Sequence, residues 1–199
     1  MSHLFHLTSL LVLLFNFSGT AITTPVEKIV AAAPIENRLP EETEEFIPWI
    51  EERKLTWEDF QSEPKKNTDA VASASTSLGI AYQLEGGNLT YKITCNFSKV
   101  KSWGLVKTPY ILAHEQGHFD LTEISARLLH KALMEYQFNR RTFKQDINRI
   151  YDTIVAQKEA LQAAYDGETD HSRNKRNQYD WLDKIDIMLE ETAPYATYP

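Results

Sequence analysis

Residues 112–133 (LAHEQGHFDLTEISARLLHKAL) constrain the fold most, because they combine helical periodicity with the spacing H-E-x-x-H. His114, Glu115 and His118 form this spacing. A helix advances about 100° per residue, so side chains four residues apart lie on one face, one turn from each other. The pattern therefore predicts a helix that directs two imidazoles to one site, with a carboxylate beside them. The alternative is an ordinary polar patch on an amphipathic helix.

Two imidazoles at this spacing are suited to binding one tetrahedral Zn²⁺ ion, and we expect His114 and His118 to be metal ligands. Zinc lowers the pKa of water from 15.7 to about 7, which provides hydroxide at neutral pH. Glu115 is then expected to be the catalytic residue, a general base that takes the proton of water and returns it to the leaving amine. These residue types predict a zinc-dependent hydrolase.

A catalytic zinc ion normally has three protein ligands and one water molecule, so the motif needs one more ligand. We predict His171, because an antiparallel partner helix would return the chain to the end of the first helix where His114 lies. His130 lies about 160° around the helix from His114, and we expect it to be a surface residue. The alternative third ligands are Asp170, Glu123, Glu135 and Glu159.

Other polar residues near the motif have open roles. Asp120 and Glu123 are suited to orienting the ligand imidazoles or to pairing with Arg127. Tyr165 or Arg173 could stabilise the oxyanion, but a core ring and a surface charge are equally good interpretations of these two residues.

The remaining periodicity predicts an α+β fold, with a small antiparallel sheet packed on a three-helix layer. Two alternating runs flank a turn at residues 86–88 and predict a hairpin over residues 74–98. Apolar stripes then predict helices over about 110–139, 142–165 and 174–191. A polar loop is expected over residues 166–173.

The first residues predict export from the cytoplasm. Residues 7–17 (LTSLLVLLFNF) form an apolar run that is too short to span a bilayer, and small residues follow it up to Ala21. We therefore assign residues 1–21 to a signal peptide and expect a secreted or periplasmic protein with no stable membrane span after cleavage. A hydrophobic N-terminal anchor is the alternative.

Composition predicts one domain after this segment. The chain has 199 residues and is 42% hydrophobic, which is enough for one sizeable core. Acidic and Pro-containing residues 22–54 indicate a linker, residues 55–191 the folded domain, and residues 192–199 a frayed tail. A net charge of −7 argues against a nucleic-acid partner.

Several segments together resemble one known family. These are residues 55–60 (LTWEDF), 74–82 (ASTSLGIAY), 112–127 (LAHEQGHFDLTEISAR) and 165–172 (YDGETDHS), with Trp103, Gln178 and Trp181. They resemble the bacterial predicted secreted zinc-dependent proteases, which are catalogued as a domain of unknown function. The resemblance covers about residues 55–185. It implies a signal peptide, bound zinc and peptidase chemistry at His114, Glu115 and His118, and it implies that residues 165–172 belong to the site.

The sequence thus predicts an exported zinc metallopeptidase that acts on a peptide or protein substrate. Two other functions fit the same residues. One is a non-catalytic exported zinc-binding module that interacts with the cell envelope, and the other is a zinc amidase that acts on cell-wall peptides.

Overall fold

The computed structural model describes residues 41–66 and 68–199. The predicted signal peptide, residues 1–21, and the first part of the predicted linker lie outside the described residues. Within them the chain forms three α-helices and a small antiparallel sheet, so the predicted α+β class is confirmed. None of the helices in these ranges combines the length and the apolar character that crossing a bilayer requires.

The predicted hairpin is present and forms most of the sheet. Strands β3 (Thr76–Glu85) and β4 (Asn88–Ser98) pair antiparallel from Thr76 opposite Phe97 to Glu85 opposite Asn88. The turn between them uses Gly86 and Gly87 at φ 59° and 90°, which a residue without a Cβ adopts at little cost. The short strand β1 (Phe46–Pro48) pairs with the other edge of β4, giving the order β1-β4-β3.

A second, two-stranded sheet joins the segments on either side of the hairpin. It pairs β2 (Ala72–Ser73), which precedes the hairpin, with β5 (Trp103–Gly104), which follows it. This small sheet brings the start of β3 close to the H-E-x-x-H helix.

Three long helices follow, with ends that differ from the predicted ones. Helix α1 (Pro109–Glu135) is capped at its N-terminus by Thr108, whose side chain accepts a hydrogen bond from the backbone N–H of Ile111 at 3.2 Å. Helix α2 (Phe143–Thr169) continues four residues beyond its predicted end at residue 165. Helix α3 (Lys175–Glu191) agrees closely with prediction. The segment predicted as a loop over residues 166–173 is therefore partly helical.

Helix α1 is central and is buried on two sides. One side packs against the sheet, and the other packs against α2 and α3 through Leu121 and Ile124. Burial of each large apolar side chain contributes about 1.5–3 kcal/mol, so this helix is held firmly in place. The residues of α1 in the core on the sheet side are Phe119, Ala126, Leu129 and Leu133.

Both ends of the described chain pack on this core. Ile47 of β1 has no exposed surface, so the folded part extends into the segment that we assigned to the linker. At the other end, the carbonyl oxygen of Pro199 accepts a hydrogen bond from the N–H of Ile93 at 2.8 Å. The hydroxyl of Tyr198 donates to Glu123 at 2.7 Å. Instead of fraying, the last residues lie against the sheet and α1.

Candidate metal centre

The first turns of α1 lie against the last turns of α2. His114 and His118 of α1 face Gln162 and Asp166 of α2, and each pair of residues is separated by four positions. The two helices run antiparallel, as predicted, so the pairs match one another turn for turn.

His114, His118 and Asp166 bring three possible metal ligands together. Asp166 Oδ1 lies 3.2 Å from Nε2 of His114 and 3.1 Å from Nε2 of His118, and the two nitrogens are 3.3 Å apart. Ligands at about 2.0–2.2 Å from a tetrahedral zinc ion are themselves about 3.3–3.6 Å apart. The three atoms therefore have separations close to those that a metal ion between them requires.

Hydrogen bonding also makes these atoms suitable for a cation. The amide nitrogen of Gln162 donates to the His118 carbonyl oxygen at 2.9 Å and to Thr122 Oγ1 at 3.2 Å, which fixes the orientation of the amide. Its oxygen then accepts from Nδ1 of His118, so Nδ1 carries the proton. In the neutral ring, Nε2 has only a lone pair and faces the carboxylate of Asp166. Two acceptors in contact require a proton or a cation between them.

The pKa shifts of these residues also indicate that the site is suited to a cation. Burial disfavours the protonated form of His118, but Asp166 outweighs it and raises the pKa of this imidazole above its ordinary value. Burial would likewise raise the pKa of the Asp166 carboxyl, yet its hydrogen bonds to the two histidines hold that pKa well below the usual range. Burial is the dominant influence on His114 and lowers its pKa. The site thus favours positive charge beside Asp166.

Tyr165 fixes the position of His114. Its ring stacks on the imidazole with centroids 4.6 Å apart, and its hydroxyl donates to the His114 carbonyl oxygen at 3.2 Å. The close approach is possible because residue 117 is glycine. A Cβ at Gly117 would lie 2.6 Å from the Tyr165 hydroxyl oxygen. Tyr165 is completely buried, so it is a core ring that supports the site.

Glu115 lies beside the histidines at the junction of two cavities of about 640 and 270 Å³. Its Oε2 accepts a hydrogen bond from the backbone N–H of Ala74 at 2.6 Å, just before β3. Burial raises the pKa of this carboxyl to about 7, although His118 and the Ala74 N–H oppose the increase. Among the described residues, no hydrogen bond involves Oε1, which leaves that oxygen able to accept a proton.

His171 lies at the edge of this group. Its Nδ1 is 3.5 Å from Asp166 Oδ1, and its side chain is 60% exposed. Asp170, His171 and Ser172 all have a left-handed backbone, with φ of 49°, 47° and 71°. This conformation costs a non-glycine residue about 1–2 kcal/mol, and such strain is often found at functional sites. The hydroxyl of Tyr110 holds the turn by donating to the Ser172 carbonyl oxygen at 2.7 Å.

The structure therefore places His114, His118 and Asp166 together, with His171 next to Asp166. Sequence reasoning named neither Asp166 nor Gln162 as a ligand or its partner. The resemblance placed Asp166 in the site without a role, because its turn of α2 was assigned to a loop, and Gln162 lay in the predicted helix with no partner assigned on α1. One signal could have found them. If the helical pattern is extended by one turn, these two residues share a face at the same spacing as the two histidines.

The other candidates have partners elsewhere. Asp120 accepts from Trp49 and Gln116, and Glu123 pairs with Arg127 at 2.8 Å, as one of the two interpretations predicted. Asp170 pairs with Arg173 at 3.3 Å on the surface.

One prediction about the histidines is wrong. We expected His130 on the surface, but it is only 6% exposed. Its Nδ1 lies 3.0 Å from the carbonyl oxygen of Tyr195, because the C-terminal residues fold over it.

Comparison with known proteins adds one match. A family model described as "Bacterial protein of unknown function (DUF922)" matches residues 35–172, which include the H-E-x-x-H helix, the sheet and the turn at His171. Neither a curated protein nor a solved structure matches the chain.

Proposed function

The chain belongs to the DUF922 family of bacterial proteins, and we propose that it is an exported zinc-dependent metallopeptidase. One observation supports the proposal most strongly. Two imidazole nitrogens and a carboxylate oxygen converge within 3.1–3.3 Å of one another, directly beside a buried glutamate that lines a cleft.

His114, His118 and Asp166 would hold the metal, and His171 is close enough to Asp166 to be an additional or alternative ligand. Imidazole and carboxylate are ligands that zinc accepts readily. When bound, zinc supplies Lewis acidity, which acidifies water and polarises a carbonyl oxygen.

Glu115 supplies the proton transfers. Its free Oε1 would take a proton from water as the oxygen of that water attacks the peptide carbonyl carbon. The same carboxyl group would then give the proton to the leaving nitrogen as the C–N bond breaks. The hydrogen bond from Ala74 N–H holds the other oxygen, so the carboxylate keeps one orientation while it exchanges the proton.

Export is part of the proposal and is supported by the sequence alone. The apolar run at residues 7–17 and the small residues up to Ala21 are typical of a signal peptide. We therefore propose a secreted or periplasmic location.

The test compares Glu115→Gln with Glu135→Gln. Glu135 is exposed at the other end of the same helix, about 30 Å along its axis from Glu115, which excludes it as a ligand and makes it a suitable control. Zinc content of the purified chain would be measured by elemental analysis, and hydrolysis would be measured on labelled casein with and without a chelator. We expect about one zinc ion in both variants, with hydrolysis reduced by about 10²–10⁴-fold in Glu115→Gln only.

Other outcomes would contradict specific parts of the proposal. Hydrolysis that survives in Glu115→Gln would remove Glu115 from the role of base. Zinc that raises the melting temperature without any hydrolysis of casein or of peptidoglycan fragments would favour the non-catalytic zinc-binding module. Hydrolysis of the peptidoglycan fragments alone would favour the amidase.

A further inference from the structure

The larger cavity beside the candidate metal centre has a basic lining. Lys65, Lys101 and Lys158 surround the cleft of about 640 Å³, which His118 and Asp166 also line. The chain as a whole is acidic, with 21 Lys and Arg against 28 Asp and Glu. Three lysines therefore line one cleft of a chain whose net charge is negative.

Three carboxylates line the same cleft, of which Glu115 and Asp166 belong to the proposed metal site and only Glu159 lies away from it. Lys158 pairs with Glu159 at 2.8 Å, and the Glu159 side chain is 66% exposed. Within residues 41–66 and 68–199, neither Lys65 nor Lys101 forms an ion pair with a described residue. The outer part of the cleft therefore has more positive than negative groups, and a cleft between protein walls concentrates such a field.

Lys158 is also held in place. Its side chain lines the cleft, is only 11% exposed, and has its ammonium group 2.8 Å from Glu159 Oε1. A lysine that is already ordered loses less conformational entropy when it binds an anion.

The position of Lys158 on α2 sets how far from the candidate metal centre it could contact a bound peptide. Lys158, Gln162 and Asp166 follow one another at intervals of four residues, so they lie along one face of the helix. A rise of about 1.5 Å per residue places Lys158 about 12 Å from Asp166 along the axis. An extended peptide covers about 3.4 Å per residue, so this distance corresponds to three or four residues of substrate.

Lys65 is the lysine that lines both cavities beside the candidate metal centre. It lines the cleft of about 640 Å³ and also the smaller cavity of about 270 Å³, where His114, Glu115 and His171 are found. A peptide that passes from one cavity to the other would meet Lys65 where the two join. Lys101 and Lys158 line only the larger cavity, so the three lysines are spread along the cleft.

We propose that this cleft selects peptides that carry a carboxylate within about four residues of the bond to be cleaved. The inference depends on the proposed peptidase function for cleavage, but binding can be tested without it. The carboxylate can belong to an Asp or Glu side chain or to the free C-terminus of the peptide, and the experiment separates these sources.

The first test measures binding to zinc-loaded Glu115→Gln by fluorescence polarisation. Three labelled eight-residue peptides would be compared: an amidated peptide with internal Glu, the same peptide with Gln, and the Gln peptide with a free C-terminus. We expect at least one of the two anionic peptides to bind about 10-fold more tightly than the neutral peptide at low salt. The tighter of the two identifies the source, and the preference should weaken at high salt.

The second test assigns the preference to the lysines. Lys65→Gln combined with Lys101→Gln, and Lys158→Gln separately, should each reduce the preference several-fold. The matched control combines Lys92→Gln with Lys144→Gln, two exposed lysines outside the cleft, and should keep it. Equal binding of all three peptides, or a preference that the cleft variants leave unchanged, would overturn the inference.

Hydrolysis by the wild-type chain distinguishes this inference from the peptidase function. Cleavage of neutral and acidic peptides with equal kcat/KM would contradict the selection and leave the peptidase proposal intact. A binding preference without cleavage of any peptide would support the anionic-peptide cleft and contradict the peptidase proposal.

Discussion

Gln162 holds His118 at two points. The Gln162 amide oxygen accepts a hydrogen bond from the ring Nδ1, and the amide nitrogen donates to the His118 carbonyl oxygen at 2.9 Å. One side chain of α2 therefore fixes both the tautomer and the backbone of a proposed ligand on α1. Such partners raise the affinity of a metal site, because the ligand does not need to be reoriented.

Replacement of Gln162 by Leu should lower zinc affinity about 10–100-fold, because the imidazole loses its fixed tautomer. Competition with a chromophoric chelator would measure the change. Gln162→Glu keeps an acceptor for Nδ1 and should lose much less affinity. Gln157→Leu, at an exposed position of the same helix, is the control. Equal affinities in the Leu and wild-type proteins would show that Gln162 has no role in metal binding.

Asp166→Ala and His171→Ala distinguish the two candidates for the third ligand. We expect Asp166→Ala to lower zinc affinity more than about 100-fold, because removal of a ligand costs more than removal of a partner that supports it. His171→Ala should have a smaller effect, since its ring is 60% exposed and lies beside Asp166. Isothermal titration of both variants would measure the difference. A larger loss in His171→Ala would identify His171 as the ligand, as the sequence predicted.

Gly117→Ala should displace Tyr165 and disturb the stacking on His114. The added Cβ would lie 2.6 Å from the Tyr165 hydroxyl oxygen and 2.9 Å from its Cζ. We expect a loss of about 1–3 kcal/mol in the free energy of unfolding and weaker zinc binding. Urea denaturation and chelator competition would measure these effects.

The matched control is Gly167→Ala, where an added Cβ would meet no heavy atom within 4 Å. Replacement of a helical glycine by alanine with no clash should leave stability unchanged or raise it by about 0.5–1 kcal/mol. Equal destabilisation by both substitutions would mean that the contact with Tyr165 does not explain the effect.

Asp59 should make stability depend on pH. Burial alone would raise the pKa of its carboxyl, but the ion pair with Arg53 at 2.7 Å and the hydrogen bond from the Thr56 N–H lower that pKa below its ordinary value. A lowered pKa in the folded state stabilises the protein above the unfolded pKa of about 3.9. The stabilisation is lost as pH falls through the lower folded pKa.

Asp59→Asn should therefore cost about 1–3 kcal/mol in the free energy of unfolding at pH 7 and progressively less as the pH falls below about 3.9 and through the lower folded pKa. Urea denaturation of both proteins across this range would show the difference shrinking as the pH falls. A difference that stays constant with pH would mean that the charge of Asp59 does not contribute.

The sequence predicted those parts of the fold that local pattern determines. The alternation on both sides of Gly86 and Gly87 predicted the hairpin, and the apolar stripe after His114 predicted α1. Strand β1 has only three residues, which is too few for a periodic pattern, and its pairing with β4 depends on contacts about 50 residues apart in the chain.

Asp166, the third possible ligand beside the two histidines, was hard to predict because its position also depends on contacts distant in the chain. Gly167 and the polar residues around it indicate a turn, yet tertiary contacts extend α2 through them. From α3, Trp181 donates to the Glu168 carboxylate at 2.7 Å and the Asn177 amide donates to the Glu168 carbonyl oxygen at 2.7 Å. Burial of His130 likewise depends on residues near Tyr195, far away in the sequence. Local propensity contains no information about such partners.

The pairing of β1 with β4 has a practical consequence for producing this protein. A fragment cut at Leu55 would lack Phe46–Pro48 and would also lose the hydrogen bond from the Trp49 N–H to the Cys95 carbonyl oxygen at 3.0 Å. The outer edge of β4 would then present unpaired N–H and C=O groups along an apolar strand, which is a template for pairing with another copy. Inclusion bodies obtained from such a fragment would reflect the missing strand and not an instability of the remaining fold.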